Sequence, residues 1–160
     1  MRENQDKAQD YIQELSRVLR YTLQSNESQS VSLREEMEFA SAYIFLLKMR
    51  FENNLQFDIQ IGKSFEDYRL PPMAVQVLIE NAVKHNEISD RKPLTIHIST
   101  DSEGYLSVSN DIQPKWTATP GTGIGIANLA KRYRLLFKQD IQITEDKEFN
   151  VCIPLIDEVQ

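Results

Sequence analysis

The sequence predicts an α+β domain, a mixed and mostly antiparallel β-sheet covered on one face by helices and preceded by a helical segment. Three observations carry this expectation. Strand-like alternation comes mainly as hairpin pairs, Leu94–Ile98 with Leu106–Val108 and Ile141–Ile143 with Phe149–Leu155, rather than as repeating βα units. Apolar stripes stepping by three and four precede and separate these pairs. A length of 160 residues, 41% of them hydrophobic and 26% charged, suffices for one core with a short appendage.

Along the chain, Ala8, Tyr11, Ile12, Leu15, Val18, Leu19 and Leu23 form one stripe of an amphipathic helix. Its apolar face must be covered, either by dimerising or by folding back on the next helix. Ser25-Asn26-Glu27-Ser28-Gln29-Ser30 breaks it, and Ser32-Leu33-Arg34-Glu35 reads as a capping box opening a second helix with Leu33, Met37, Ala40, Ile44 and Leu47 on its stripe. Tyr43, Phe45 and Leu46 make the second half of that helix apolar on more than one side, which places it between two layers. Asn53-Asn54 turns into the alternation Leu55, Phe57, Ile59, Ile61, the period of a strand. Pro71-Pro72 suits the first turn of a helix, where a missing N–H costs little, and Ala74, Val75, Leu78, Ile79, Ala82 and Val83 supply its buried face.

The run Leu94, Ile96, Ile98 then turns through Asp101-Ser102-Glu103-Gly104 into Leu106 and Val108, an antiparallel hairpin. From Ile112 to Thr122 no period holds, and two prolines, three threonines and Gly121 mark a mobile surface segment. Beyond Gly125, a last helix carries Ile126, Leu129, Ala130, Tyr133, Leu136 and Phe137 on one side. Glu145-Asp146-Lys147-Glu148 is the turn of the closing hairpin.

A net charge of −6 argues against a protein that holds phosphate backbones, so nucleic acid is not expected as a partner. Lys131, Arg132, Arg134 and Lys138 form a local basic cluster that reads either as a solvated helix face or as a contact for a phosphate or acidic partner. The apolar runs are too short to cross a bilayer, the start lacks the apolar region of a signal peptide, and the single cysteine, Cys152, cannot make an internal disulfide. These point to a cytoplasmic, reducing setting.

Two polar clusters carry candidate chemistry. Gly121-Thr122-Gly123-Ile124-Gly125 leads straight into a helical pattern, and a glycine-rich turn at a helix start lets backbone N–H groups approach a phosphate. Upstream, Asn81, Lys84 and His85 share one face of a helix whose other side is apolar. An asparagine oxygen is a neutral ligand suited to Mg²⁺ already neutralised by phosphates, and Lys84 can bring charge to those phosphates. The plainer reading is a surface Glu80–Lys84 pair with Asn81 incidental.

Strand parity puts Asn110 on the inner face with Leu106 and Val108, where its amide either reads an adenine edge or caps its own strand. His97 is most simply a residue on the outer sheet face, and Met37, Met49 and Met73 fill core. Gly62-Lys63-Ser64 lacks the glycine a P-loop needs, since Phe57 stands there, and Cys152 has no metal-ligand spacing around it.

In order and spacing these features are familiar. Leu70-Pro71-Pro72-Met73, Val77-Leu78-Ile79-Glu80-Asn81-Ala82-Val83-Lys84-His85 and Gly121-Thr122-Gly123-Ile124-Gly125-Ile126-Ala127-Asn128-Leu129 resemble the ATP-binding region of sensor histidine kinases, and more narrowly the LytS-like class. Upstream, Leu15-Ser16-Arg17-Val18-Leu19-Arg20-Tyr21 and the stretch from Glu35-Glu36-Met37-Glu38 to Lys48-Met49-Arg50-Phe51 fit the same class, so the resemblance covers almost the whole chain.

The resemblance implies a two-layer α/β sandwich of the Bergerat type, with residues 1–30 a partial dimerisation helix and 31–160 the ATP-binding catalytic domain. It implies ATP and Mg²⁺ as cofactors, Asn81 at the metal, and Lys84 and His85 as further pocket groups. It makes Gly121, Thr122, Gly123, Ile124 and Gly125 the phosphate-side loop, residues 112–122 a lid that includes Trp116, and Asn128 part of the motif. It also implies a response regulator as partner, a homodimer through the helical segment, and attachment to a membrane only through segments outside this chain.

Two departures from the pattern stand out. An aspartate followed by glycines is usual where Asn110-Asp111-Ile112 stands here, so either Asn110 or, by a register shift, Asp111 would meet the base. The only histidines, His85 and His97, are not placed as phosphoacceptors, so the phosphoryl group is expected to go to a histidine absent from this chain. A non-catalytic dimerisation or regulator-docking module that keeps the fold is the alternative. An ATP-hydrolysing relative would need an acid to activate water, and Glu80 is the one candidate beside Asn81.

Overall fold

The computed structural model describes residues 2–25, 29–115 and 124–158. Helix α1 (Arg2–Ser25) lies along α2 (Leu33–Phe51), with the Tyr21 ring stacked on Phe39 at 4.2 Å. Ser32 starts α2 as expected, its Oγ accepting the Glu35 N–H at 3.1 Å. Folding back on α2 covers only part of the α1 stripe, for Tyr11, Ile12 and Leu19 stay 42%, 62% and 55% exposed. A short two-stranded ribbon, β1 (Val31–Ser32) against β3 (Arg69–Leu70), was not foreseen, because two residues are too few to show a period.

The main sheet has five strands in the order β2-β4-β5-β7-β6, comprising β2 (Leu55–Gln60), β4 (Leu94–Thr100), β5 (Tyr105–Asp111), β6 (Gln142–Glu145) and β7 (Glu148–Pro154). Only β2 and β4 run parallel, joined by a crossover through α3 (Ala74–His85), and the other three pairings are antiparallel. Parity then sorts the residues. Leu55, Leu94, Ile96, Ile98, Leu106, Val108, Val151 and Ile153 face the helices and are buried, while Asp58, His97, Ser107, Ser109, Asn150 and Cys152 lie on the other face. His97 is there as expected, exposed and 3.2 Å from Asp58.

Helices α3 and α4 (Ile124–Phe137) complete the layer. They bury Val75, Leu78, Ile79, Ala82, Leu129 and Tyr133, and the Tyr133 hydroxyl donates to the Pro154 carbonyl at 2.9 Å. Leu136, expected on the inner side of α4, is instead 37% exposed, because the inward row runs Leu129, Tyr133, Phe137 in steps of four and Leu136 lies at its edge.

The prolines require a correction. Pro71 and Pro72 precede α3 instead of forming its first turn, and Met73, with φ of 70°, takes a left-handed conformation at the N-cap. A residue before proline is pushed away from helical geometry, so the helix opens only after the pair. What holds it there is the Glu36 carboxylate from α2, which accepts the Met73 N–H at 2.8 Å and the Val75 N–H at 3.2 Å.

Candidate functional site

The polar face of α3 and the first turn of α4 meet across a narrow cleft of about 80 Å³ lined by Val77, Glu80, Asn81, Lys84, His85, Ile124, Gly125 and Ile126. Close approach of the two helices depends on Gly125, where an added Cβ would stand 3.3 Å from Val77 Cγ1. Gly125 thus sits inside the helix and sets helix spacing. The polar groups in this cleft are the Asn81 amide, the Lys84 ammonium and the His85 imidazole, with the Glu80 carboxylate as an acceptor and the backbone N–H groups of the first turn of α4 beside them.

Asn81, His85 and Ile126 are also walls of a larger cavity of about 620 Å³. Its other sides are Ile112 and Pro114 after β5, Ala127 and Ala130 on α4, Ile143 and Glu145 on β6, and Phe149 on β7. Most of the wall is apolar, and the volume lies within the range of small-molecule sites. The two cavities therefore share a border formed by Asn81 and His85, apolar on one side and polar on the other.

Asn81 is half-buried, while Lys84 and His85 are exposed. Lys84 and Glu80 also border a groove of about 660 Å³ on the flank of α3 toward α2, lined in part by Tyr43, Arg50, Phe51 and Glu87. Burial, with a smaller contribution from Glu80, pushes the Tyr43 phenol there up to about 12. That groove mixes both signs of charge and contains neither Asn81 nor His85.

Asn110 is the buried polar residue at the end of β5, 2% exposed and paired across the sheet with the wall residue Phe149. Its amide nitrogen donates to the Asp111 carbonyl at 2.8 Å. Asp111 is exposed and lies on the other strand face, outside the cavity walls. Asn128 projects from the exposed side of α4 and borders neither cavity. Gly121, Thr122, Gly123 and Trp116 lie outside the described residues, as does most of the expected lid; Ile124 opens α4 at 57% exposure.

Two residues not singled out above fix the two ends of α3. Asn86, 5% exposed, donates to the Ala82 carbonyl at 2.8 Å and accepts the Gln113 N–H at 2.7 Å, pinning the chain after β5 to the end of α3. An asparagine just past a helical stripe was the available signal.

Glu36 is fully buried and receives the Tyr21 hydroxyl in addition to the two backbone donors at the start of α3. Burial raises its carboxyl above the ordinary value, opposed by the Tyr21, Met73 and Val75 bonds and by Arg132. Its signal was also present, since it stands three residues after Leu33 and four before Ala40 on the apolar stripe. Arg132, from the basic cluster on α4, is half-buried and donates to the Pro72 carbonyl at 2.7 Å, so it is not a solvated face residue.

Comparison with known proteins gives concordant findings. The family model described as "Histidine kinase" matches residues 1–55. The chain is 32% identical over 156 residues to the sensor protein LytS of Streptococcus mutans, an alignment covering 88% of this chain and 27% of that protein. It is 29% identical over 147 residues to the sensor histidine kinase BtsS of Escherichia coli K12, covering 90% of this chain and 26% of that protein. It thus spans about a quarter of the length of these curated relatives.

Among solved structures, the catalytic domain of histidine kinase ThkA superposes with a TM-score of 0.51 at 21% identity, over 81% of this chain and 97% of that one. The histidine kinase domain of the blue-light activated kinase EL346 of Erythrobacter litoralis gives a TM-score of 0.54 at 15% identity, over 96% of this chain and 81% of that one. At these identities the superpositions establish the fold.

Proposed function

Because the chain belongs to the LytS-like sensor histidine kinases and corresponds to their catalytic region, we propose that it binds ATP with Mg²⁺ and donates the terminal phosphoryl group to a histidine outside this chain. The observation that supports this most is the shared border of the two cavities: an apolar space of about 620 Å³ and a polar cleft of about 80 Å³ meet at Asn81 and His85. The base would occupy the apolar space among Ile126, Ala130, Ile143 and Phe149. The phosphates would run into the cleft toward Lys84 and the first turn of α4.

The donor set fits a divalent cation that arrives with its phosphates. Among the described residues no three His, Cys, Asp or Glu side chains gather around one point, so a neutral Asn81 oxygen would complete a shell supplied mainly by phosphate and water. Mg²⁺ supplies charge neutralisation at the phosphates. The chain's own part is positioning: α3 presents Asn81, Lys84 and His85 on one face, and Gly125 keeps α4 close enough to close the cleft.

We further propose the division into a dimerisation helix, 1–30, and an ATP-binding domain, 31–160, with a response regulator and a second copy of the chain as partners on the cytoplasmic side. Among the described residues no helix is long and apolar enough to cross a membrane. The alternative, a docking module without turnover, draws on the amide at position 110, where the family pattern has a carboxylate.

One titration separates the two readings. A non-hydrolysable ATP analogue at a hundredfold excess over its Kd adds about 2.7 kcal/mol, a rise in melting temperature of about 5–10 °C for a chain of this size. The rise should require Mg²⁺, exceed that with the matching GTP analogue, and lose its Mg²⁺-dependent part in Asn81→Ala. No shift at millimolar analogue would favour the docking module, and an Asn81→Ala protein with unchanged affinity would remove the metal assignment.

A further inference from the structure

All three of the other helices converge on Glu36 of α2. From α1 comes the Tyr21 hydroxyl, from the start of α3 the Met73 and Val75 N–H groups, and from α4 the charge of Arg132, which also holds the Pro72 carbonyl at 2.7 Å. Glu36 itself is 0% exposed, so its carboxyl depends on these partners. The chain at this point cannot relax easily. Pro71 and Pro72 fix two backbone angles, and Met73 is held in a left-handed conformation that a non-glycine residue adopts only when its surroundings impose it.

Asn81 lies seven residues along α3 from Ala74, two rigid helical turns from this anchor. A rotation or slide of α3 at its first turn is therefore carried to Asn81, Lys84 and His85. The α1 side of the junction is equally specific. The Tyr21 ring is stacked on Phe39 of α2, which aims its hydroxyl at Glu36 Oε1, the same oxygen that accepts the Met73 N–H. Displacing α1 along α2 removes that hydroxyl and leaves a buried carboxylate with fewer donors, and the α3 amides are the nearest groups that can readjust.

We propose that Glu36 is a positioning residue for the nucleotide site and that Tyr21 makes its grip on α3 depend on where α1 sits, so that movement of α1 is read at Asn81. The inference rests on the nucleotide-site reading above. It adds a route, Tyr21 to Glu36 to Met73 and Val75 to Asn81, by which the helix preceding the domain adjusts nucleotide affinity without touching nucleotide. Such coupling requires two sites joined by one physical junction, and Glu36 bonds both α1 and α3.

The test is Tyr21→Phe in the full chain, which keeps the stacked ring and deletes only the hydroxyl. Tyr43→Phe, a partly buried tyrosine on the same helix as Glu36, is the control. Amide hydrogen exchange without nucleotide should quicken at Met73 and Val75 in Tyr21→Phe and stay unchanged in Tyr43→Phe. The Kd for the ATP analogue should rise by roughly twofold to thirtyfold in Tyr21→Phe alone, the span of couplings carried by residues that touch neither ligand.

Unchanged exchange at Met73 and Val75 would overturn the linkage, and faster exchange with unaltered affinity would overturn its reach to Asn81. A wild-type protein that binds no nucleotide would fail the site reading on its own and with it the reach to Asn81, while the exchange measurement would still decide whether α1 controls the start of α3.

Discussion

Substituting aspartate for Asn110 turns the base-recognition question into a measurable trade between stability and affinity. Asn110 is 2% exposed, and its amide nitrogen donates to the Asp111 carbonyl at 2.8 Å. An ionised carboxylate has no donor, so Asn110→Asp sets oxygen against oxygen where water cannot intervene. A buried group left unmatched costs about 1–3 kcal/mol, which at about 2–4 °C per kcal/mol lowers the melting temperature of the free protein by about 2–12 °C.

Nucleotide should reverse the ranking. The adenine amino group is a donor, and a charged acceptor forms a bond stronger by about 1 kcal/mol than a neutral amide does, or roughly fivefold in Kd. Calorimetric titration of the ATP analogue and paired melts measure both sides of the trade. The cost in the free variant should also shrink at low pH, because a protonated aspartic acid donates to the carbonyl again. Its folded-state pKa would be raised by burial, so the stability is present at low pH and lost as pH rises through that value. An unchanged melting temperature, or an affinity that falls together with stability, would show that position 110 does not face the base.

The remaining predictions concern what holds the helical layer in place. Tyr133→Phe strands the Pro154 carbonyl, now bonded at 2.9 Å, and should cost about 1–2 kcal/mol, read as a drop of about 2–8 °C in a circular-dichroism melt with the ATP-analogue Kd little changed. Because burial raises the Glu36 carboxyl above its ordinary value, the folded protein binds a proton there more tightly than the unfolded chain between the ordinary value and the raised one. The contribution of that group is complete below the ordinary carboxyl value and declines as pH climbs through the raised one. Urea titrations from about pH 4 to about pH 8 should therefore show the wild type losing ground to Glu36→Gln as pH rises, and a constant difference between the two would refute the raised value.

Much of the site was legible before any coordinates because its residues obey local rules. Asn81, Lys84 and His85 fall on one helix face by spacing alone, and that face does border both cavities. Parity placed Asn110 inside the sheet and His97 outside it. The glycine run was readable as a helix start, but the role of Gly125 in admitting Val77 was not, because the partner lies on another helix far away in sequence. Phe149, Ile143 and Glu145 read only as members of a hairpin. They became cavity walls because β7, and not β6, pairs with β5.

The sequence by itself determined the long helices, the strands of the main sheet, their hairpin pairings and their faces, since each depends on spacing within a few residues and on which side chains avoid water. Only the tertiary structure decided what satisfies the buried carboxylate, although the apolar stripe already set Glu36 apart from Glu35. Glu35 and Glu36 are neighbours with the same chemistry, yet Glu36 is fully enclosed and gathers Tyr21, Met73 and Val75 while Glu35 stays exposed. That difference arises when α1, α3 and α4 arrive on one side of α2, and no periodicity within α2 names those partners. A buried carboxyl is tolerable only where enough hydrogen-bond partners converge on it, and convergence is a property of the assembled layers.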